Sequence, residues 1–133
     1  IGLMGNIHAI GESVHITSDE SLTWNQIYEA IADALGVKLN AIHVSSEFLD
    51  ASSKEDYRGG LLGDKANSVV FDNSKLKRLV PDFVATTRFD QGVKQTIDYI
   101  LAHSELQIPD EEFDNWCDRV VEVLNTELKM INE

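Results

Sequence analysis

The sequence predicts an α/β chain, with a small, mainly parallel sheet of two or three short strands covered by four or five helices. Three observations lead there. Val14-His15-Ile16 and Ile42-His43-Val44 each alternate apolar and polar residues, the period of a half-buried strand. Between them lies a capped, amphipathic stretch of helical length. Apolar stripes at helical spacing then fill most of the chain beyond Asn73. Strand, helix, strand is a βαβ unit, whose strands are expected to be parallel neighbours joined by a right-handed crossover.

Taken in order, Ile1 to Met4 reads as the end of a helix whose start lies upstream, and Gly5-Asn6 and Gly11 punctuate the loop after it. A strand is expected over 12–17. Thr23-x-x-Gln26 is a capping box, in which each side chain satisfies the other residue's backbone N–H. Trp24, Ile27, Tyr28, Ile31 and Leu35 then share one helical face, and Gly36 stands where a left-handed C-cap is wanted. After the strand at Ile42 to Val44, Ser46 is the expected cap of a short helix. Ser52 to Asp56 and Gly59-Gly60 are loop material. Val69 to Phe71 is a third strand. Asp72 or Asn73 caps a helix bearing Leu76, Leu79 and Val80, which stops before Pro81 because the residue preceding proline avoids the α region. Phe89, Val93, Ile97, Ile100 and Leu101 mark another amphipathic helix. Pro109 opens the last, with Asp110, Glu111 and Glu112 in its first turn and an apolar stripe of Phe113, Trp116, Cys117, Val120, Leu124, Leu128 and Ile131.

The 133 residues suit one domain, and 43% apolar content is enough for a core. No apolar run approaches the roughly 20 residues that span a bilayer. Cys117 is alone, so the chain forms no internal disulfide, and a reducing cytoplasm is the simplest setting. The net charge of −12 is uneven. Residues 1–35 hold five acids and no Lys or Arg, residues 36–103 balance at nine of each sign, and residues 104–133 set nine acids against Arg119 and Lys129. Such a chain repels phosphate backbones and anionic membranes, so neither nucleic acid nor a membrane is an expected partner.

Catalytic constellations are missing. The chain has no Gly-rich dinucleotide turn, no Gly-x-x-x-x-Gly-Lys and no Cys-x-x-Cys, and Tyr28, Tyr57 and Tyr99 are followed four residues later by Ala32, Leu61 and His103 rather than Lys. His15 and His43 fall in the same phase of two strands expected to be neighbours, with Asp19 or Glu47 within reach. Two imidazoles are too few for a metal site, and polar strand positions are the favoured reading. Ser45-Ser46 and Ser52-Ser53 have no nucleophile-elbow context. Cys117, on an apolar stripe, reads as an inert thiol. The anion-binding candidates lie between Lys54 and Arg88. Lys75, Lys77 and Arg78 read as a solvated helix face, whereas Arg58 beside Gly59-Gly60 and Lys65 after Gly63-Asp64 sit on a Gly-rich loop.

Leu61-Leu62-Gly63-Asp64-Lys65, then Val69-Val70-Phe71-Asp72-Asn73-Ser74-Lys75, then Phe89-Asp90-Gln91-Gly92-Val93, resemble in order the C-terminal lobe of the NAD-dependent epimerase/dehydratase family, the extended short-chain dehydrogenases. The resemblance covers about residues 1–103 and implies a substrate-binding lobe there, with 104–133 an acidic amphipathic helix packed on that lobe or on a partner. It implies a fragment lacking the N-terminal Rossmann domain of the same polypeptide, which would bind NAD or NADP and hold the Tyr/Lys pair, so that no cofactor is expected on this chain. Arg58, Asp64, Lys65 and Arg88 are the implied contacts to a small-molecule substrate. In nucleotide-sugar epimerases an Arg-Pro pair precedes the Gly-Asp turn, and Leu61 and Leu62 stand there in this chain. Either Arg58 substitutes or the substrate is smaller and less charged. Two other readings are a stand-alone acidic protein-interaction module and a non-catalytic binding member of the same family. If the lobe is separate from its partner domain, an exposed interdomain face should promote self-association.

Overall fold

Helices and their caps account for all the regular structure. The computed structural model describes residues 1–132, apart from the side chains at 128, 129, 131 and 132. Five α-helices, α1 (Trp24–Leu35), α2 (Ser46–Ser52), α3 (Ser74–Leu79), α4 (Phe89–Ala102) and α5 (Glu111–Asn132), are joined by 3₁₀ turns at Ile7–Ala9 and Ser104–Leu106 and a π-helical turn at Gly59–Asp64. The chain divides into two compact units, Ile1–Leu39 with Val69–Tyr99 and Asn40–Ser68 with Ile100–Glu133.

The α/β expectation is overturned, because no strand and no sheet form among the described residues. The expected strands at 12–17, 42–44 and 69–71 carry no regular structure and form no ladders. Alternation of residue type settles which side chains turn away from water, and at Ile42, His43 and Val44 it does: half-buried, exposed, half-buried. A strand also needs a second backbone to take its N–H and C=O groups. The segments at 12–17 and 42–44, expected to be neighbours, belong to different units. Within the first unit the His15 ring meets Phe71 edge-on at 5.0 Å, a side-chain contact between two segments with no shared ladder.

In the first unit the elements are tied by side chains reaching backbone ends. At α1 the capping box forms as read, with Gln26 Oε1 accepting from the Thr23 N–H at 2.8 Å and Thr23 Oγ1 accepting from the Gln26 N–H at 3.3 Å. Gly36 closes the helix at φ +70°, and the Val37 N–H donates to the Ala32 carbonyl at 3.0 Å, a Schellman closure that a Cβ at Gly36 would strain. Asn73 holds the N-cap position of α3 without a side-chain cap bond, and Asp72 before it takes the Ser74 N–H and the Ser74 hydroxyl, both at 2.8 Å. Asn73 instead donates to the Thr17 carbonyl at 3.1 Å and to Asp19 at 2.9 Å, which Lys77 also reaches. Lys75 pairs with Glu12 and donates to the Ser13 carbonyl, so two of the three cations on this largely solvated face, Lys75 and Lys77, also act as tethers. Asn6 closes the other end of α3 through the Leu79 carbonyl at 2.8 Å, and Glu20 accepts from the first N–H of α4, that of Phe89, at 2.8 Å. Under these ties only Leu76, 2% exposed, and Ala32 are fully buried.

The second unit is built on α5. Its only buried apolar side chain among those described is Val120, while Trp116, Cys117 and Leu124 are half-buried and Phe113 is exposed. Leu128 and Ile131 of the expected stripe lie outside the described side chains. Two caps differ from expectation by one residue. Ser45 rather than Ser46 caps α2, accepting from the Phe48 N–H at 3.2 Å, and Asp110 rather than Pro109 opens α5, accepting from the Phe113 N–H at 3.0 Å. The Gly59-Gly60 loop is instead the π-turn, closed by the Lys65 N–H donating five residues back to the Gly60 carbonyl at 3.0 Å.

Three carboxylates of the first unit titrate below their usual range. Lys75 holds Glu12 down, Lys77 and then Asn73 hold Asp19 down, and the N–H and hydroxyl of Ser74 hold Asp72 down. A carboxylate whose folded value is depressed contributes stability above its unfolded value and loses it as the pH falls through the folded one. Thermal melts followed by circular dichroism should therefore be flat from pH 7 to 5 and drop steadily below about pH 4, where free carboxylates protonate. A Tm unchanged down to pH 3 would show that these ties contribute nothing.

Candidate functional site

The expected substrate contacts do not form one cluster. Arg58, Asp64 and Lys65 belong to the second unit, on the π-turn and its flanks, and Arg88 belongs to the first, just before α4. Arg88 is engaged locally: its Nε and one terminal nitrogen donate to the two oxygens of Asp90 at 3.0 and 3.2 Å. That fork geometry would otherwise suit a carboxylate or phosphate, and here Asp90 fills it. Arg58 and Lys65 have no ion-pair partner among the described residues. The Arg58 N–H donates to Asp56 at 3.1 Å, and the Lys65 ammonium folds back over Gly60, where a Cβ would lie 3.9 Å from it. A π-turn lets an N–H and a carbonyl face outward at its ends, and such turns are frequent where ligands bind.

The more strongly shaped feature was not legible in the sequence. In the second unit the end of α2, the loop after it and the first turns of α5 enclose a cleft of about 290 Å³. Its walls are aromatic. Tyr57 stacks on Trp116 with ring centres 5.6 Å apart and planes at 30°, and Phe113 is tilted at 46° to the same indole with centres 5.6 Å apart. The indole is fixed because its Nε1–H donates to the Ser52 carbonyl at 3.1 Å. At the rim, Lys54 pairs with Glu112 at 3.0 Å, and Arg119, one turn beyond Trp116, also lines the cleft. Tyr57 lies in a loop segment and Trp116 on a stripe that reads as core, so nothing in their spacing announced that they would meet.

The other expected positions are spent structurally. His15 packs on Phe71, and His43 lies in the other unit. Ser45 and Ser53 accept from nearby backbone N–H groups. The resemblance puts the nicotinamide cofactor on a separate Rossmann domain; in this chain Gly59, Gly60 and Gly63 are wound into the π-turn.

Burial raises the Cys117 thiol above its ordinary value, and Asp114 and Asp118 raise it further. The thiolate is the reactive form, so Cys117 should be alkylated at pH 7 more slowly than a free cysteine, and unfolding in urea should restore the ordinary rate. Equal rates in the folded and unfolded chain would contradict this. Comparison of the chain with protein-family profiles, with curated proteins and with solved structures finds no match.

Proposed function

We propose that this chain is the substrate-binding part of an NAD(P)-dependent epimerase/dehydratase, working in the cytoplasm with a Rossmann domain that supplies the cofactor and the Tyr/Lys pair, and not catalytic alone. The observation that carries this reading is how little apolar surface the chain covers by itself. Ala32, Leu76 and Val120 are the only buried apolar side chains among those described, while Val69, Val70 and Phe71 stand 64%, 75% and 59% exposed in a segment without regular structure. Monomeric proteins rarely leave a contiguous apolar segment of that kind in water, and a companion domain laid against it would cover both its side chains and its free backbone groups.

In this reading the lobe contributes binding and exclusion of water rather than a reacting group. Arg58 and Lys65 are the residues placed to meet a negatively charged part of the substrate, a sugar nucleotide or a smaller polar molecule, and Arg88 must first release Asp90. The exposed amphipathic character of α5 supports a second reading, a stand-alone acidic interaction module, since Phe113, Val121 and Val123 remain open on it.

The deciding experiment is to read the coding sequence upstream of Ile1. A Gly-rich strand-turn-helix followed by Tyr-x-x-x-Lys is the expected result. The same frame with Tyr or Lys replaced makes the chain a binding member of the family, and a start codon directly before Ile1 overturns the proposal. In the full-length protein, the double change Arg58→Ala and Lys65→Ala should raise KM for the substrate by about a hundredfold or more while leaving kcat close to its starting value, since each charge-assisted hydrogen bond removed costs about 1.5–3 kcal/mol and every 1.4 kcal/mol is about tenfold. The isolated chain should also self-associate in light scattering at rising concentration, and a strictly monomeric profile counts against an exposed interdomain face.

A further inference from the structure

We propose that the aromatic cleft of the second unit binds an organic cation, an alkylammonium or guanidinium head group. This goes beyond the substrate role above and does not rest on it. Three features point the same way. Tyr57, Phe113 and Trp116 place ring surface around one cleft of about 290 Å³, and ring faces attract cations through their quadrupole. Glu55, Asp110 and Glu112 also line it, so that once the Lys54 ammonium is displaced three carboxylates face Arg119 alone and the cleft favours a cation. The cleft already holds a cation at its rim, the Lys54 ammonium 3.0 Å from Glu112.

That internal ammonium is readily displaced. The side chains of Lys54 and Glu112 are 86% and 78% exposed, and pairs of such exposure contribute little. An incoming head group would take the Glu112 carboxylate and rest on the indole, which Ser52 holds in place. Asp110 already accepts from the Phe113 N–H and keeps its second oxygen for the ligand. Arg119 works against a cation and favours an anion. It is outnumbered by the carboxylates, and its removal gives the experiment its sharpest control.

The probe is the fluorescence of Trp116 in a Trp24→Phe background, which leaves one indole in the chain. The chain is titrated with choline, with acetyl-arginine amide, with the uncharged choline isostere 3,3-dimethylbutanol and with inorganic phosphate. Expected is a saturable change with one or both cations and none with the neutral isostere or phosphate. Choline binding the tighter identifies a free small molecule as the source of the head group, and acetyl-arginine amide binding the tighter identifies a peptide side chain. Lys54→Ala should tighten cation binding and Glu112→Gln should weaken it, each by about two- to fivefold, the scale of an exposed cation–π and carboxylate contact. Arg119→Ala should tighten it as well. Both Lys54 and Glu112 are exposed, so these variants keep the fold. The proposal is overturned if the neutral isostere binds as well as choline, if phosphate binds and Arg119→Ala abolishes it, or if no cation gives a saturable change.

Discussion

Side chains that reach across the sequence to helix ends hold the first unit together, and its other features follow from that. Asn6 takes the last turn of α3, Glu20 takes the first N–H of α4, and Asn73 and Lys77 meet on Asp19. Each end left open would expose backbone groups that have no partner inside the helix. The ties are polar and lie at the surface, so they fix where the helices begin and end without withdrawing much apolar area from water. Burial, ordinarily the dominant favourable contribution to folding, is confined here to Leu76 and Ala32. A chain arranged this way has its geometry specified locally and its apolar surface left to something else.

The second unit starts its helices with local caps and joins them differently. Asp110 starts α5 and Ser45 starts α2, but the join between the two helices is aromatic, through Trp116 and its hydrogen bond to Ser52. That bond matters because an indole held at its nitrogen presents fixed faces to Tyr57 and Phe113. The cleft is therefore a by-product of how two helices are attached.

Local chemistry was legible in the sequence and non-local pairing was not. The Thr23 to Gln26 box, the left-handed Gly36 and the stop before Pro81 depend on residues within one turn of each other, and all three can be read from spacing. The strands failed for the opposite reason. Val14-His15-Ile16 and Ile42-His43-Val44 carry the right alternation, but no residue in either segment encodes a backbone partner. Caps slipped by one position at Ser45 and Asp110 because a neighbouring residue offered an equally good helix start, the Ser46 hydroxyl in one case and the fixed φ of Pro109 in the other. Of the candidate substrate residues, Arg58 and Lys65 stand outside any ion pair among the described residues. Arg88 is spent on Asp90, two residues away, a local pairing that spacing could have shown. Tyr57 and Trp116 are 59 positions apart, and only folding brings them together.

The ties of the first unit are of two kinds, and ionic strength separates them. Glu12 with Lys75 and Asp19 with Lys77 are charge pairs in water, whose longer-range part fades as the screening length shrinks from about 10 Å at 0.1 M salt to about 3 Å at 1 M. Asn6 on Leu79, Asn73 on Thr17 and the Thr23 to Gln26 box are uncharged and insensitive to this. In a saline medium the helices would keep their ends while the segment around Glu12 and Asp19 loosens its hold on α3. The salt content of its surroundings thus sets how firmly that segment is clasped.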